Sequence, residues 1–204
     1  MKYDFNTKKG SFYLYDPETG KGWDNIFFND LSYICSVGHL GYSTSRYLNK
    51  DCVNISLSAG LSAMYIRDKV SKNYWSVGPY PTFKPIEDYC CEHSQNYTKI
   101  SSSYDGIKSE MVYTIHPTDT CEIWKLTLTN NTDRERVISA IPYTMFSLEG
   151  FAQPFYYNMP TTSATEFVPE ANGIYCQNKN PYRPHELCPF ATLAEKPTFA
   201  RVNT

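Results

Sequence analysis

The residues that could carry chemistry are few, and none stands at a recognised catalytic spacing. The four histidines lie at 39, 93, 116 and 185, and no two are spaced as ligands of one metal ion. Seven cysteines (35, 52, 90, 91, 121, 176 and 188) contain no CxxC pair, and adjacent Cys90-Cys91 suits neither zinc nor a simple disulfide framework. Each reads as a small buried hydrophobe. There is no GxSxG elbow, no Gly-rich phosphate loop and no HExxH. One local group of acids, Glu87, Asp88 and Glu92 beside His93, has the residue types for general acid–base work on a sugar. Solvated charge at strand edges is the commoner use of such residues. No catalytic residue and no metal site is assigned.

The elements that would position these groups are strands. The chain has 204 residues, 41% hydrophobic and 16% aromatic, enough apolar material for the core of one domain spanning 1–204. The clearest run is Ile107, Ser109, Met111, Tyr113 and Ile115, which alternate onto one face, with Lys108, Glu110 and Thr114 opposite. Trp124, Leu126 and Leu128 repeat the pattern, as do Val137, Ser139, Ile141, Tyr143 and Met145. The short connections between these three runs predict an antiparallel meander covered on one side. Further strands are expected around Phe12 and Leu14, over Val53–Leu57 and over Ala63–Arg67, with a turn at Asp16-Pro17-Glu18-Thr19-Gly20. Residues 20–32 could hold a turn or two of helix. The loops at 153–160 and 178–189, rich in aromatics or proline, are where binding groups tend to sit.

Charge and targeting signals exclude several partners. A net charge of -2 without a basic stripe argues against nucleic acid and anionic membrane. No apolar run is long enough to span a bilayer, and the polar start carries no signal-peptide core. A cytoplasmic protein with reduced thiols is the expectation. The sequons at Asn54, Asn96 and Asn130 then read as chance matches.

Several local patterns, taken in order, resemble the N-terminal domain of the glycoside hydrolase family 94 phosphorylases. They are Trp23-Asp24-Asn25, Gly38-His39-Leu40-Gly41-Tyr42-Ser43, Tyr65-Ile66-Arg67-Asp68 and Trp75-Ser76-Val77-Gly78-Pro79-Tyr80-Pro81. His93-Ser94-Gln95-Asn96-Tyr97 follows, with Ser and Asn where the family has glycine, then Gly106 to Glu110, Leu126 to Asp133 and Tyr156-Tyr157-Asn158. The resemblance implies an all-β fold, an antiparallel β-super-sandwich of the galactose-mutarotase-like type. In the family this domain packs beside a catalytic (α/α)6 barrel, which supplies the acid and the phosphate site.

The chemistry implied is reversible, inverting phosphorolysis of a β-linked disaccharide, with inorganic phosphate as co-substrate and no cofactor. The domain itself is expected to be non-catalytic. Tyr156, Tyr157 and Asn158 are implied to form an acceptor-side loop for a β-linked oligosaccharide. The barrel is an expected partner, in cis or as a split chain, and a homodimer is a further one. Two alternatives stand beside this reading: a free-standing carbohydrate-binding module, and a mutarotase-like enzyme using His93 or His116 with a carboxylate.

Overall fold

Alternation along the strands decides which side chains meet, and the register across strands shows it. The computed structural model describes residues 2–48, 54–57, 62–146, 163–178 and 188–202. They group into two units, Met1–Ser45 with Leu61–Tyr143, and Arg46–Gly60 with Thr144–Thr204. In the first unit β1 (Tyr3–Asn6), β2 (Ser11–Leu14), β9 (Glu87–His93), β10 (Thr98–Tyr104), β11 (Ile107–Ile115) and β12 (Glu122–Asn130) form a sheet in the order β1-β2-β9-β10-β11-β12. Every pair in it is antiparallel. Leu14, Cys91, Ile100 and Met111 lie in one row across β2, β9, β10 and β11, and all four are completely buried. Each such apolar side chain contributes roughly 1.5–3 kcal/mol on leaving water.

Two smaller sheets cover that inner face. One contains β3 (Asp24–Phe28), β4 (Tyr33–Gly38) and β5 (Tyr42–Leu48). The other has the order β13-β7-β8, from β7 (Ala63–Asp68), β8 (Tyr74–Ser76) and β13 (Ile138–Tyr143). Trp75 of β8 lies fully buried against Tyr104, ring centroids 5.3 Å apart, and its Nε1–H donates to Ser109 Oγ at 3.4 Å. From the other covering sheet, Cys35 Sγ and Ser45 Oγ donate to the two oxygens of Glu122 at 3.0 and 2.9 Å. The result is the expected antiparallel β-sandwich.

Two expectations need correction. The segment expected to hold a helical turn contains β3 instead: Phe27 is buried while Ile26 and Phe28 are exposed, a period of two that a strand satisfies and a helix does not. The meander also breaks. β10, β11 and β12 follow one another, but the third run leaves the sheet and pairs with β7 as β13. Arg136 explains the departure. Just before β13 its guanidinium donates to Asp68 at 2.8 Å and to Asp105 at 2.7 Å, and Lys69 N donates to Val137 O at 2.8 Å. Pro142 is tolerated because β13 is an edge strand.

The Asp16 turn forms as expected, with Glu18 N donating to Asp16 Oδ1 at 2.9 Å and Gly20 at a φ of 67°. In the second unit β14 (Ser163–Val168), a 3-10 turn (Pro169–Ala171), β15 (Gly173–Asn178) and β16 (Phe190–Thr192) make an antiparallel sheet around buried Cys176. The end of β5 pairs there with β6 (Asn54–Ser56). No helix among the described residues is long and apolar enough to cross a membrane.

Candidate functional site

The three described histidines each bond to backbone groups. Trp23 N–H donates to His39 Nδ1 at 3.2 Å, so the opposite nitrogen, 3.3 Å from Pro17 O, carries the proton. His93 Nε2 lies 3.2 Å from Trp23 O and donates to it, while Nδ1 accepts from the Thr98 hydroxyl at 3.0 Å. The two rings therefore bracket the Trp23 peptide groups from both sides. Asn25 adds a third tie, its Nδ2 donating to Ser94 O at 2.7 Å. Burial holds the His93 ring down at about 4, so it is neutral at physiological pH. His116 is engaged too: its Nδ1 accepts from Thr118 N at 3.3 Å and its carbonyl accepts from Asn29 at 3.1 Å. His185 lies outside the described residues.

The acid group beside His93 does not converge with it. Glu92 and His93 are consecutive on β9, so their side chains leave opposite faces of the sheet. Glu92 Oε1 accepts the Tyr13 and Tyr97 hydroxyls, both at 2.7 Å, and Lys99 lies 3.5 Å from Oε2. Burial alone would raise this carboxyl. The two phenols and Lys99 outweigh it and hold Glu92 below its usual range. Glu87 and Asp88 are exposed at the start of the strand. Such an arrangement fixes a sheet surface; it does not set an acid and a base on either side of a bond. Among the described residues no His, Cys, Asp and Glu cluster could hold a metal ion.

The ordered motifs do come together, chiefly as structure. Ile66 and Asp68 point inward and are buried, Asp68 accepting from Val70 N at 2.7 Å and Ser71 N at 3.0 Å as well as from Arg136. Gly78 meets the Leu40–Gly41 turn so closely that a Cβ there would run into Leu40 O. Tyr80 N donates to the same Leu40 carbonyl at 2.9 Å. The turn from His93 to Thr98 closes with Ser94 N donating to Tyr97 O at 2.9 Å, and no residue in it has positive φ. Its Ser and Asn therefore serve where the family has glycine.

The alternate residues of those motifs form a surface. Tyr65 and Arg67 of β7, Tyr74 of β8 and Ile141 of β13 share the outward face of one sheet and, with Lys72, line an open cleft. Lys84 Nζ sits 5.0 Å above the Tyr74 ring. Tyr143 packs edge-on against Tyr65 at 6.3 Å, and Tyr80 edge-on against Phe83 at 6.1 Å. Among the described residues the cleft is lined by aromatic, aliphatic and basic side chains, with no carboxylate. The sequence carried its signal in the outward half of each alternating motif. The expected acceptor loop, Tyr156, Tyr157 and Asn158, lies outside the described residues.

Comparison with known proteins decides the family. The model of the glycosyl hydrolase 94 supersandwich domain matches residues 17–203. The chain belongs to this family. As a family 94 supersandwich domain it is similar to a solabiose phosphorylase of Paenibacillus borealis, 30% identical over 189 residues, covering 91% of this chain and 23% of that protein. It is also similar to an N,N'-diacetylchitobiose phosphorylase of Vibrio proteolyticus, 26% identical over 158 residues, covering 72% and 20%. A 3-O-beta-D-glucopyranosyl-beta-D-glucuronide phosphorylase of Paenibacillus borealis is 30% identical over 149 residues, covering 71% and 18%. The chain thus spans about a fifth of the length of these relatives.

Proposed function

We propose that the chain is the non-catalytic supersandwich domain of a phosphorylase that cleaves a β-linked disaccharide reversibly, using inorganic phosphate. The family match over 17–203, together with relatives that are phosphorylases by name, carries this reading. The chemistry belongs to a catalytic barrel, in cis or as a separate chain. There one carboxylic acid protonates the glycosidic oxygen while phosphate attacks the anomeric carbon from the opposite face. The supersandwich packs against that barrel and lends it the loop at Tyr156, Tyr157 and Asn158, whose rings stack on the acceptor sugar. The whole acts in the cytoplasm as a homodimer; the free thiols of Cys35, Cys90, Cys91, Cys121, Cys176 and Cys188 agree with a reducing compartment.

The loop assignment has a direct test. In the protein joined to its barrel, Tyr157→Ala is expected to raise the acceptor KM in the synthetic direction about tenfold, the loss of one stacked ring. The KM for the sugar 1-phosphate donor should stay unchanged. An equal rise in both constants, or in neither, removes the loop from the acceptor site.

A further inference from the structure

The cleft on the outward face of β13-β7-β8 has an unbalanced charge. The segment 67–86 carries Arg67, Lys69, Lys72 and Lys84, and its one acid is Asp68. Asp68 points to the opposite face and is neutralised there by Arg136 at 2.8 Å. Arg67 is exposed and has no carboxylate within ion-pair distance among the described residues. Lys72 is anchored at the cleft by donating to Lys69 O at 2.7 Å, and Lys84 by its place over Tyr74. In a chain whose overall charge is -2, this is a local concentration of cations around a floor of aromatic rings.

The floor is open as well as aromatic. Tyr74 is 50% exposed and Tyr143 44%, and Tyr65 lies between them in the register, opposite Ile141 and Ser76. Aromatic faces stack on the C–H face of a pyranose. A guanidinium adds bidentate bonds to a phosphate or carboxylate, and flanking ammonium groups add charge. From these together we infer a ligand site on this face for an anionic pyranose, a sugar carrying a phosphate or a carboxylate, with Arg67 holding the anion and Tyr74 and Tyr65 the ring. The need for an anion stands on the cleft alone; the choice of a pyranose rests on the proposed function.

The test is calorimetric titration of the 204-residue chain with glucose 1-phosphate, glucuronic acid, glucose and inorganic phosphate. Saturable binding of at least one of the two anionic sugars is expected, at roughly millimolar Kd. Which of them binds identifies phosphate or carboxylate as the anion. Arg67→Gln should weaken it about tenfold, and so should Tyr74→Ala, each the loss of one principal contact. Lys84→Gln, a milder surface change, should weaken it less, and Tyr15→Ala, just beyond β2 on the six-stranded sheet, should leave it unchanged. Binding of neither anionic sugar, or binding that survives both Arg67→Gln and Tyr74→Ala, overturns the site. Inorganic phosphate binding as tightly as the anionic sugar overturns the pyranose assignment, and free glucose binding as tightly overturns the need for an anion. None of these outcomes bears on phosphorolysis, so the site and the proposed function fail separately.

Discussion

Trp75→Ala is expected to lower the unfolding free energy of the first unit by about 3–5 kcal/mol, the range for emptying a fully buried Trp position. The indole is completely buried between the covering sheet and Tyr104, and no other side chain on β8 reaches as far into the core. Its loss also strips Ser109 Oγ of its donor, in a residue that is itself buried. The neighbouring Tyr74→Ala is the matched control. Tyr74 is the preceding residue on the same strand but points outward, so its replacement should change stability by well under ~1 kcal/mol. Urea denaturation followed by Tyr and Trp fluorescence reads both. Similar losses for the two variants would mean that β8 is not turned as described.

Acid should destabilise the same unit through His93. The ring titrates near 6.5 when the chain is unfolded and at about 4 when it is buried in the fold. The unfolded chain therefore binds the proton more tightly, so stability is fully present above pH 6.5 and falls as pH drops through the window to about 4. That separation corresponds to roughly 3 kcal/mol. Glu92 and Asp68, both held below their usual values of 4.5 and 3.8, add their own acid sensitivity from those values downward, at and below the low end of this window. Glutamine at 93 keeps an amide donor for Trp23 O and removes the titration. His93→Gln is thus expected to flatten the pH dependence between 6.5 and 4, read as urea midpoints at successive pH values. A slope identical to that of the unsubstituted chain would place the acid sensitivity elsewhere.

Local alternation was readable wherever one face of a strand is buried. Ile107, Met111 and Tyr113 lie on the face that their spacing indicates, because a one-residue slip would turn all of them to water. Partnership between distant strands was not readable. Nothing in the spacing of 137–145 says that it joins β7; that depends on Arg136 meeting Asp68, 68 positions earlier. The histidines misled for a related reason. His93 beside Glu92 looks like an acid–base pair in one dimension, but the strand sends them to opposite faces and the backbone of Trp23 occupies the ring. The motifs that mark the family proved to be both core and surface: Ile66, Asp68 and Trp75 inward, Tyr65, Arg67 and Tyr74 outward.

The proposal of a phosphorylase domain that leaves the chemistry to a barrel is tested most directly by an activity measurement. The 204-residue chain is incubated with inorganic phosphate and each of cellobiose, laminaribiose and N,N'-diacetylchitobiose, alone and joined to its barrel, and sugar 1-phosphate is measured. The account predicts release of sugar 1-phosphate from at least one disaccharide with the barrel present and none above buffer without it. Turnover by the chain alone, at the order of 1 s⁻¹ or more typical of enzymes and co-purifying with it, would contradict the account.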